Sequence, residues 1–494
     1  MSKLWQKNNK VLDLVEKFTI GNDQAMDLYL APYDILGSIA HTTMLSEVGL
    51  LTKEEQINLK KALVAIYEKI QAGHCKVAAE VEDIHSQVEL ELTASLGDIG
   101  KKIHSARSRN DQVLVDIKLF IRAEIMKLTT SLQALFTTLQ QKSETHKNDL
   151  LPGYTHLQLA MPSSFGLWLG AYAESLVDDM TLLQAAYKVV NKNPLGSAAG
   201  YGSSFPINRT RTTELLGFDT LNYNVVYAQM GRGKAERVTA MALANVADTL
   251  SKLSMDVCLF MNQNFGFIQF PEELTTGSSI MPHKKNPDVF ELIRSYSNRI
   301  KALPNEIMMM TTNLPSGYHR DLQLLKEHLF PAFTQLNDCL TMACLMLQHM
   351  EIKKDILEDP RYQYIFSVEE VNKLVLKGIP FRDAYKQVGA AIEAGKYTYS
   401  TQLAHTHEGS LGNLGTTFIA EKMQAVLSEM HFEKVEKRIA ELLNDVDAVY
   451  GDEYVTQAYS IIYKLVAELD KQGEPVAWMY QHKDYVAEDI RLKR

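Results

Sequence analysis

The sequence predicts an all-α protein, an elongated central bundle of long helices flanked by two smaller helical domains. Residues 101–151 contain neither glycine nor proline, and within them Val113, Ile117, Ile121, Ile125, Leu128, Leu132, Leu135 and Leu139 recur at spacings of four and three. That recurrence places them on one face of a helix. Similar stripes run through residues 164–190, 234–265, 287–312 and 332–357, while strand signals are sparse and short. Each of these segments exceeds the average globular helix of about 11 to 12 residues, so lengthwise bundling is expected.

In chain order, the long-helix pattern begins near residues 104–110 and ends at Asp359-Pro360, which divides the chain into domains 1–105, 106–359 and 360–494. A length of 494 residues exceeds what one compact core usually holds. Met308, Met309 and Met310, with other mid-chain methionines, predict either plain core packing or broad apolar surfaces for a homo-oligomeric bundle. In the last domain Val371, Leu374 and Met423 mark modest helices that carry no recognisable chemistry, so packing or assembly is the expected role.

A net charge of −9 and a pI near 5.9 leave no global positive field to release phosphate counterions, which argues against nonspecific nucleic-acid binding. Cys75, Cys258, Cys339 and Cys344 lack metal-type spacing, and charges run throughout residues 1–18 where a signal peptide would have an apolar core. A reduced, cytoplasmic protein is expected. No segment approaches about eighteen uninterrupted apolar residues, so no membrane span is expected.

The stretch with most chemical content is residues 277–287, GSSIMPHKKNP. Asn286 before Pro287 reads as a helix start, an N-cap side chain ahead of a residue that needs no amide hydrogen, and Val289, Leu292, Ile293, Tyr296 and Ile300 follow periodically. A helix N-terminus offers unpaired N–H groups and partial positive charge, here beside Lys284 and Lys285, so an anion site is predicted with Ser278 where an oxyanion would be stabilised. Two further segments carry donors. In residues 152–162, PGYTHLQLAMP, a Pro-Gly turn precedes Thr155 and His156, and Pro162 is expected to open the next helix. In residues 105–113, SARSRNDQV, Arg109 offers a planar fork suited to a carboxylate, with Ser108 or Asn110 as the candidate cap of the long helix.

The string GSSIMPHKKNP resembles the signature of the fumarase/aspartase superfamily, enzymes that eliminate a group β to a carboxylate and release fumarate. SRNDQV, EDIH at residues 82–85, KLW at 3–5 and YDILGSIAH at 33–41 are similar to the argininosuccinate lyase family within it. NPLGSAAGYG at 193–202 and YHRDLQ at 318–323 extend the similarity over about residues 3–330. The resemblance implies Ser278 as base, Lys284 and Asn286 on the substrate carboxylate, and His156 paired to Glu291 as the group that protonates the leaving nitrogen. It implies Ser108, Arg109, Asn110, Thr155, Tyr318, Arg320, Gln323, Asp83 and His85 as substrate contacts, with no metal and no cofactor. It also implies a homotetramer whose sites combine segments from three different subunits, which fits the scatter of these motifs.

The chain departs from the family pattern at His283, where glutamine is usual, and at Arg320, which replaces a lysine near the substrate's far end. Residues 227–237, YAQMGRGKAER, lack the family's Asn-Ser and Asp-Arg-Asp. The expected substrate is argininosuccinate. An N-acylated argininosuccinate, another fumarate-releasing reaction of the adenylosuccinate lyase or aspartase type, and a noncatalytic crystallin-like role are the alternatives.

Overall fold

The computed structural model describes residues 12–78 and 81–444. The KLW segment and residues 445–494 of the last domain therefore lie outside the described residues. What is described is overwhelmingly helical, with strands of only two to seven residues.

Six helices come first: α1 (Asp13–Ile20), α2 (Asp23–Asp27), α3 (Ala31–Glu47), α4 (Lys53–Gln71), α5 (Ile84–Leu96) and α6 (Asp98–Lys101). Local polar groups set their starts. Thr52 and Glu55 cap one another's backbone amides ahead of α4, and Asp83 accepts the Ser86 amide at 2.8 Å ahead of α5. Ile35, Ile39, Leu59, Leu63, Val88 and Leu92 pack into a core that also takes in Leu195, Leu216, Phe218 and Leu442 from later in the chain.

The long helix α7 (Arg109–Thr145) begins where Ser108 and Asp111 form a reciprocal cap. It is followed by a hairpin of β1 (Leu150–Thr155) and β2 (Gln158–Ser164), then by α8 (Phe165–Val190), α9 (Arg209–Leu215), α10 (Val225–Met230), α11 (Lys234–Met261), α12 (Asp288–Ile300), α13 (Leu303–Met310) and α14 (Leu325–Gln348). Contacts at both ends of each pair fix the directions. Gly166 donates to the His146 carbonyl at 3.1 Å and Arg122 to Asn191 at 3.1 Å, so α8 runs back along α7. Ser131 meets Asn337 and Thr138 meets Cys344, so α14 runs with α7. Ser175 and Trp168 meet Thr249 and Asp256, which sets α11 against α8, and Lys301 and Arg294 meet Asp248 and Met255, which sets α12 against α11. The shared core holds Leu128, Leu132, Leu176, Leu243, Leu250 and Phe333.

Of the expected α7 stripe, every residue from Ile117 to Leu139 is buried, and Val113 packs half-buried against the core. Several boundaries differ from expectation. Pro162 lies in β2 opposite Pro152, and α8 instead starts at Phe165 under a Ser164 cap. The segment expected as one helix over 287–312 breaks at residues 301–302 into α12 and α13, with Pro304 in the first turn of α13, where a missing N–H costs nothing. The last stripe starts earlier, at Leu325, and runs through Pro331.

Gly166 marks a close approach between the start of α8 and the end of α7. A Cβ there would meet the Ser143 carbonyl oxygen at 2.5 Å and the Lys147 Cα at 2.6 Å, both backbone. Gly166→Ala is expected to cost about 2–3 kcal/mol through overpacking, read as a lower denaturant midpoint. An unchanged midpoint would show that the two helices part without penalty.

After α14 come α15 (Ser367–Leu376), α16 (Phe381–Glu393), α17 (Thr416–Ser428) and α18 (Phe432–Leu443). The first two share a small core of Val371, Ala384 and Val388, while α17 docks on α8, where Gln184 donates to the Val426 carbonyl at 3.0 Å. No helix among the described residues is long and apolar enough to cross a membrane.

Candidate active site

The 37 residues of α7 span roughly 55 Å at about 1.5 Å per residue, and the expected site residues divide between its two ends. At the N-terminal end Ser108 caps the helix and Arg109 occupies its first position. The Arg109 guanidinium pairs through Nη1 with Asp83 and donates through Nη2 to Ser86 Oγ at 3.1 Å. Burial lowers its pKa, opposed by the negative field of Asp34, Glu82 and Asp27.

Residues 318–323 reach the same end. Arg320 Nη2 donates to the Thr19 carbonyl at 3.0 Å and to Glu82 at 3.4 Å, and Gln323 donates to the Thr19 and Ile20 carbonyls at 3.0 and 3.2 Å. Tyr318 lies under the Arg232 guanidinium, 5.4 Å from ring centre to Cζ. Asp83, His85, Ser108, Arg109, Asn110, Tyr318, Arg320 and Gln323 thus gather around one end of the bundle. Asp83 and His85 are both buried there, Asp83 on Arg109 and His85 on Asp34 and Asp116.

At the opposite end the β1–β2 hairpin turns through His156 and Leu157, with φ of 55° and 58°. Two left-handed residues in succession between paired Thr155 and Gln158 make a type I′ turn without the usual glycine or asparagine. Such a backbone costs about 1 kcal/mol or more per residue, and it holds Thr155 and His156 exposed at the tip. Tyr154, 5.5 Å from Phe265, fastens the hairpin beside the end of α11.

The Ser278 loop lies at this end too, because α12 starts alongside the last turn of α11. It is closed at its base: the Asn286 amide donates to the Thr276 carbonyl at 2.8 Å and Asn286 Nδ2 to the Gly277 carbonyl at 3.3 Å. Asn286 is therefore not the helix cap. Its side chain is committed across the loop, Pro287 takes the N-cap position, and α12 starts at Asp288 without a side-chain cap. Ser278 Oγ accepts from the Met281 amide at 3.1 Å and more weakly from Ile280 at 3.4 Å, an arrangement that stabilises negative charge on that oxygen. Lys284 is exposed in the loop, and Lys285 lies 3.9 Å from Glu272.

Glu291 is exposed on α12, and among the described residues neither it nor His156 has a side-chain hydrogen bond. On the expected apolar run of α12, Ile293 and Ile300 are buried, but Leu292 is 59% exposed and Tyr296 42%.

Residues 3–301 match a family model described as lyase. An argininosuccinate lyase of Bacteroides fragilis is 59% identical over 441 residues, covering 89% of this chain and 99% of that protein. The chain belongs to the argininosuccinate lyase family. One from Bacteroides thetaiotaomicron is likewise 59% identical over 440 residues, 88% of this chain and 99% of its own. In fold the chain is similar to EDDS lyase crystallised with formate, at 21% identity and a TM-score of 0.69 over 88% of this chain and 94% of that one. The all-α fumarase/aspartase architecture is thereby shown.

Sequence reasoning assigned nothing to Asp111 and lost the argininosuccinate lyase pattern at residues 227–237. Asp111 Oδ2 accepts the Gly196 and Ala198 amides, both at 2.9 Å, and so anchors the NPLGSAAGYG loop to the start of α7. Within YAQMGRGKAER, Gln229 Nε2 donates to Ser197 Oγ at 3.0 Å, and Arg232 donates to the Leu322 carbonyl at 3.1 Å beside Tyr318. The available signal was their nearness in sequence to recognised motifs. Among the described residues one group of metal-ligating types is drawn together, Asp34, His85 and Asp116, with donor atoms within 4.8 Å of one another. His85 Nδ1 is 3.0 Å from Asp34 Oδ1, a contact that a shared proton makes.

Proposed function

We propose that this chain is an argininosuccinate lyase, a carbon–nitrogen lyase that cleaves argininosuccinate to fumarate and arginine, and that it acts as a cytoplasmic homotetramer. The observation that carries the mechanism is the Ser278 oxygen, held by two backbone amides in a closed loop that also bears Lys284. A C–H proton next to a carboxylate is only weakly acidic, and its removal puts two negative charges on one group. Lys284, Asn286 and the loop amides bind that aci-carboxylate more tightly than the substrate carboxylate, which is the differential stabilisation catalysis needs. The same positive surroundings stabilise the Ser278 alkoxide that takes the proton. The C–N bond then breaks, its electron pair leaves with the guanidino nitrogen, and His156 supported by Glu291 supplies the proton that completes arginine.

Ser108, Arg109, Asn110, Thr155, Tyr318, Arg320 and Gln323 hold the rest of the substrate, with Asp83 orienting Arg109. Because these groups sit at opposite ends of α7, a working site joins one copy's α7 start to the hairpin and the Ser278 loop of other copies. Exposed apolar side chains along the bundle, Leu292 and Tyr296 on α12, Met241 and Met255 on α11 and Met309 after it, support such an assembly. The domain division 1–105, 106–359 and 360–494 is retained as our reading, the central part carrying assembly and chemistry.

The direct test mixes purified protein with argininosuccinate and follows fumarate by ultraviolet absorbance. Steady release is expected, and its absence would reject this substrate in favour of an N-acylated or different amine donor. Arg109→Lys keeps the charge and loses the planar fork. KM is expected to rise about tenfold, roughly 1.4 kcal/mol, with kcat changed less; an unchanged KM would remove Arg109 from substrate binding.

A further inference from the structure

Among the described residues, a group of four buried polar atoms without hydrogen-bond partners lies behind the Arg109 end, around a residue that the mechanism above leaves unused. His85, 3% exposed, directs Nδ1 at Asp34 Oδ1 (3.0 Å) and Asp116 Oδ2 (3.4 Å). Asp34 belongs to α3, His85 to the first turn of α5 and Asp116 to α7, so one imidazole ties three helices together. Gln112, one turn before Asp116, donates to the same Asp34 oxygen at 2.6 Å. Asp34 Oδ2, both Asp116 oxygens and His85 Nε2 are buried without a hydrogen-bond partner.

Such a group is expensive. Buried charges cost several kcal/mol each unless compensated, and apolar side chains of similar volume would hold three helices at less cost. What the cluster adds is orientation. Asp83, two residues before His85, both caps α5 and pairs with Arg109, and Arg109 lies two turns before Asp116 on α7. The clamp therefore fixes the first turn of α5 against the first turns of α7, the two segments whose facing side chains aim the guanidinium.

We propose that His85, held between Asp34 and Asp116, is a positioning residue that sets the Arg109 guanidinium for the substrate carboxylate and does not itself touch substrate. Burial alone would discharge the ring, but Asp34 and then Asp116 outweigh it and raise the His85 pKa, which keeps the bridging proton in place. The proposal rests on the lyase reading above and replaces the direct substrate contact that the resemblance implies for His85.

The two amide isosteres separate this role from others. His85→Asn puts an amide nitrogen with two hydrogens at the Nδ1 position, able to reach both carboxylates, whereas His85→Gln puts its nitrogen at the Nε2 position and leaves them unbridged. With argininosuccinate and unchanged oligomer mass, His85→Gln is expected to raise KM about tenfold with kcat within about threefold, and His85→Asn to restore KM. In an Arg109→Lys background the His85→Gln step should add little, since both changes act on the same guanidinium. Asp116→Asn, which removes one arm of the clamp, gives the same KM-selective loss if His85→Gln does not fold. Equal KM for both isosteres, a loss confined to kcat, or full additivity with Arg109→Lys overturns the proposal. A wild-type protein that releases no fumarate overturns the lyase reading instead.

Discussion

Ser278→Ala is expected to lower kcat by about a thousandfold or more, the upper range for loss of a positioned general base. Among the described side chains of the loop, only the Ser278 oxygen is held by backbone amides. Lys284 is exposed on a flexible stem, and Asn286 is occupied in closing the loop base. Stability should hardly change, because Ser278 bonds only the Ile280 and Met281 amides and Ile280 is 82% exposed, so water satisfies the freed donors at a cost of less than about 1 kcal/mol. The measurement is fumarate release at saturating substrate beside the helical circular-dichroism signal and the oligomer mass. A variant that keeps more than about a tenth of wild-type turnover would show that another group takes the proton.

The second large effect is recovery. Arg109→Met and Ser278→Ala are each expected to be nearly inactive alone, since one removes a carboxylate fork and the other the base. Mixed and allowed to exchange subunits, they should regain about a quarter of wild-type activity, because a site drawing its α7 start and its Ser278 loop from different copies finds both intact with about one-in-four statistics. The physical ground is the length of α7, whose 37 residues span roughly 55 Å and keep the Arg109 end of the bundle away from the end that carries the Ser278 loop within one chain. Failure to recover activity after verified subunit exchange would mean that one chain supplies both groups, and it would end the shared-site reading.

Much of the architecture was legible because it depends on local periodicity. The α7 stripe specifies its own buried face, and Ser108, one of the two caps expected from the sequence, marks its start; the reciprocal Asp111 contact appears only in the structure. The loop string at 277–287 was legible as a family signature for a similar reason, since the family match over residues 3–301 bears out the resemblance it carries. Its helix start was misplaced by what lies across the loop, where the Thr276 and Gly277 carbonyls engage Asn286. The hairpin at 150–164 was hidden by its turn, whose left-handed residues are His156 and Leu157 where asparagine or glycine would have announced it. Two prolines read as boundaries turned out to face each other across the strands.

Residue order alone therefore determined the long helices, the residue types able to handle a carboxylate and the family those types resemble. Only the tertiary structure decided that Arg109 and Ser278 stand at opposite ends of the bundle, that His85 faces Asp34 and Asp116, and that Arg232 covers Tyr318. A 3.6-residue repeat fixes which face of a helix is buried. The partner it meets and the direction in which that partner runs are set by packing between segments far apart in the chain, and those two choices place every group in the site.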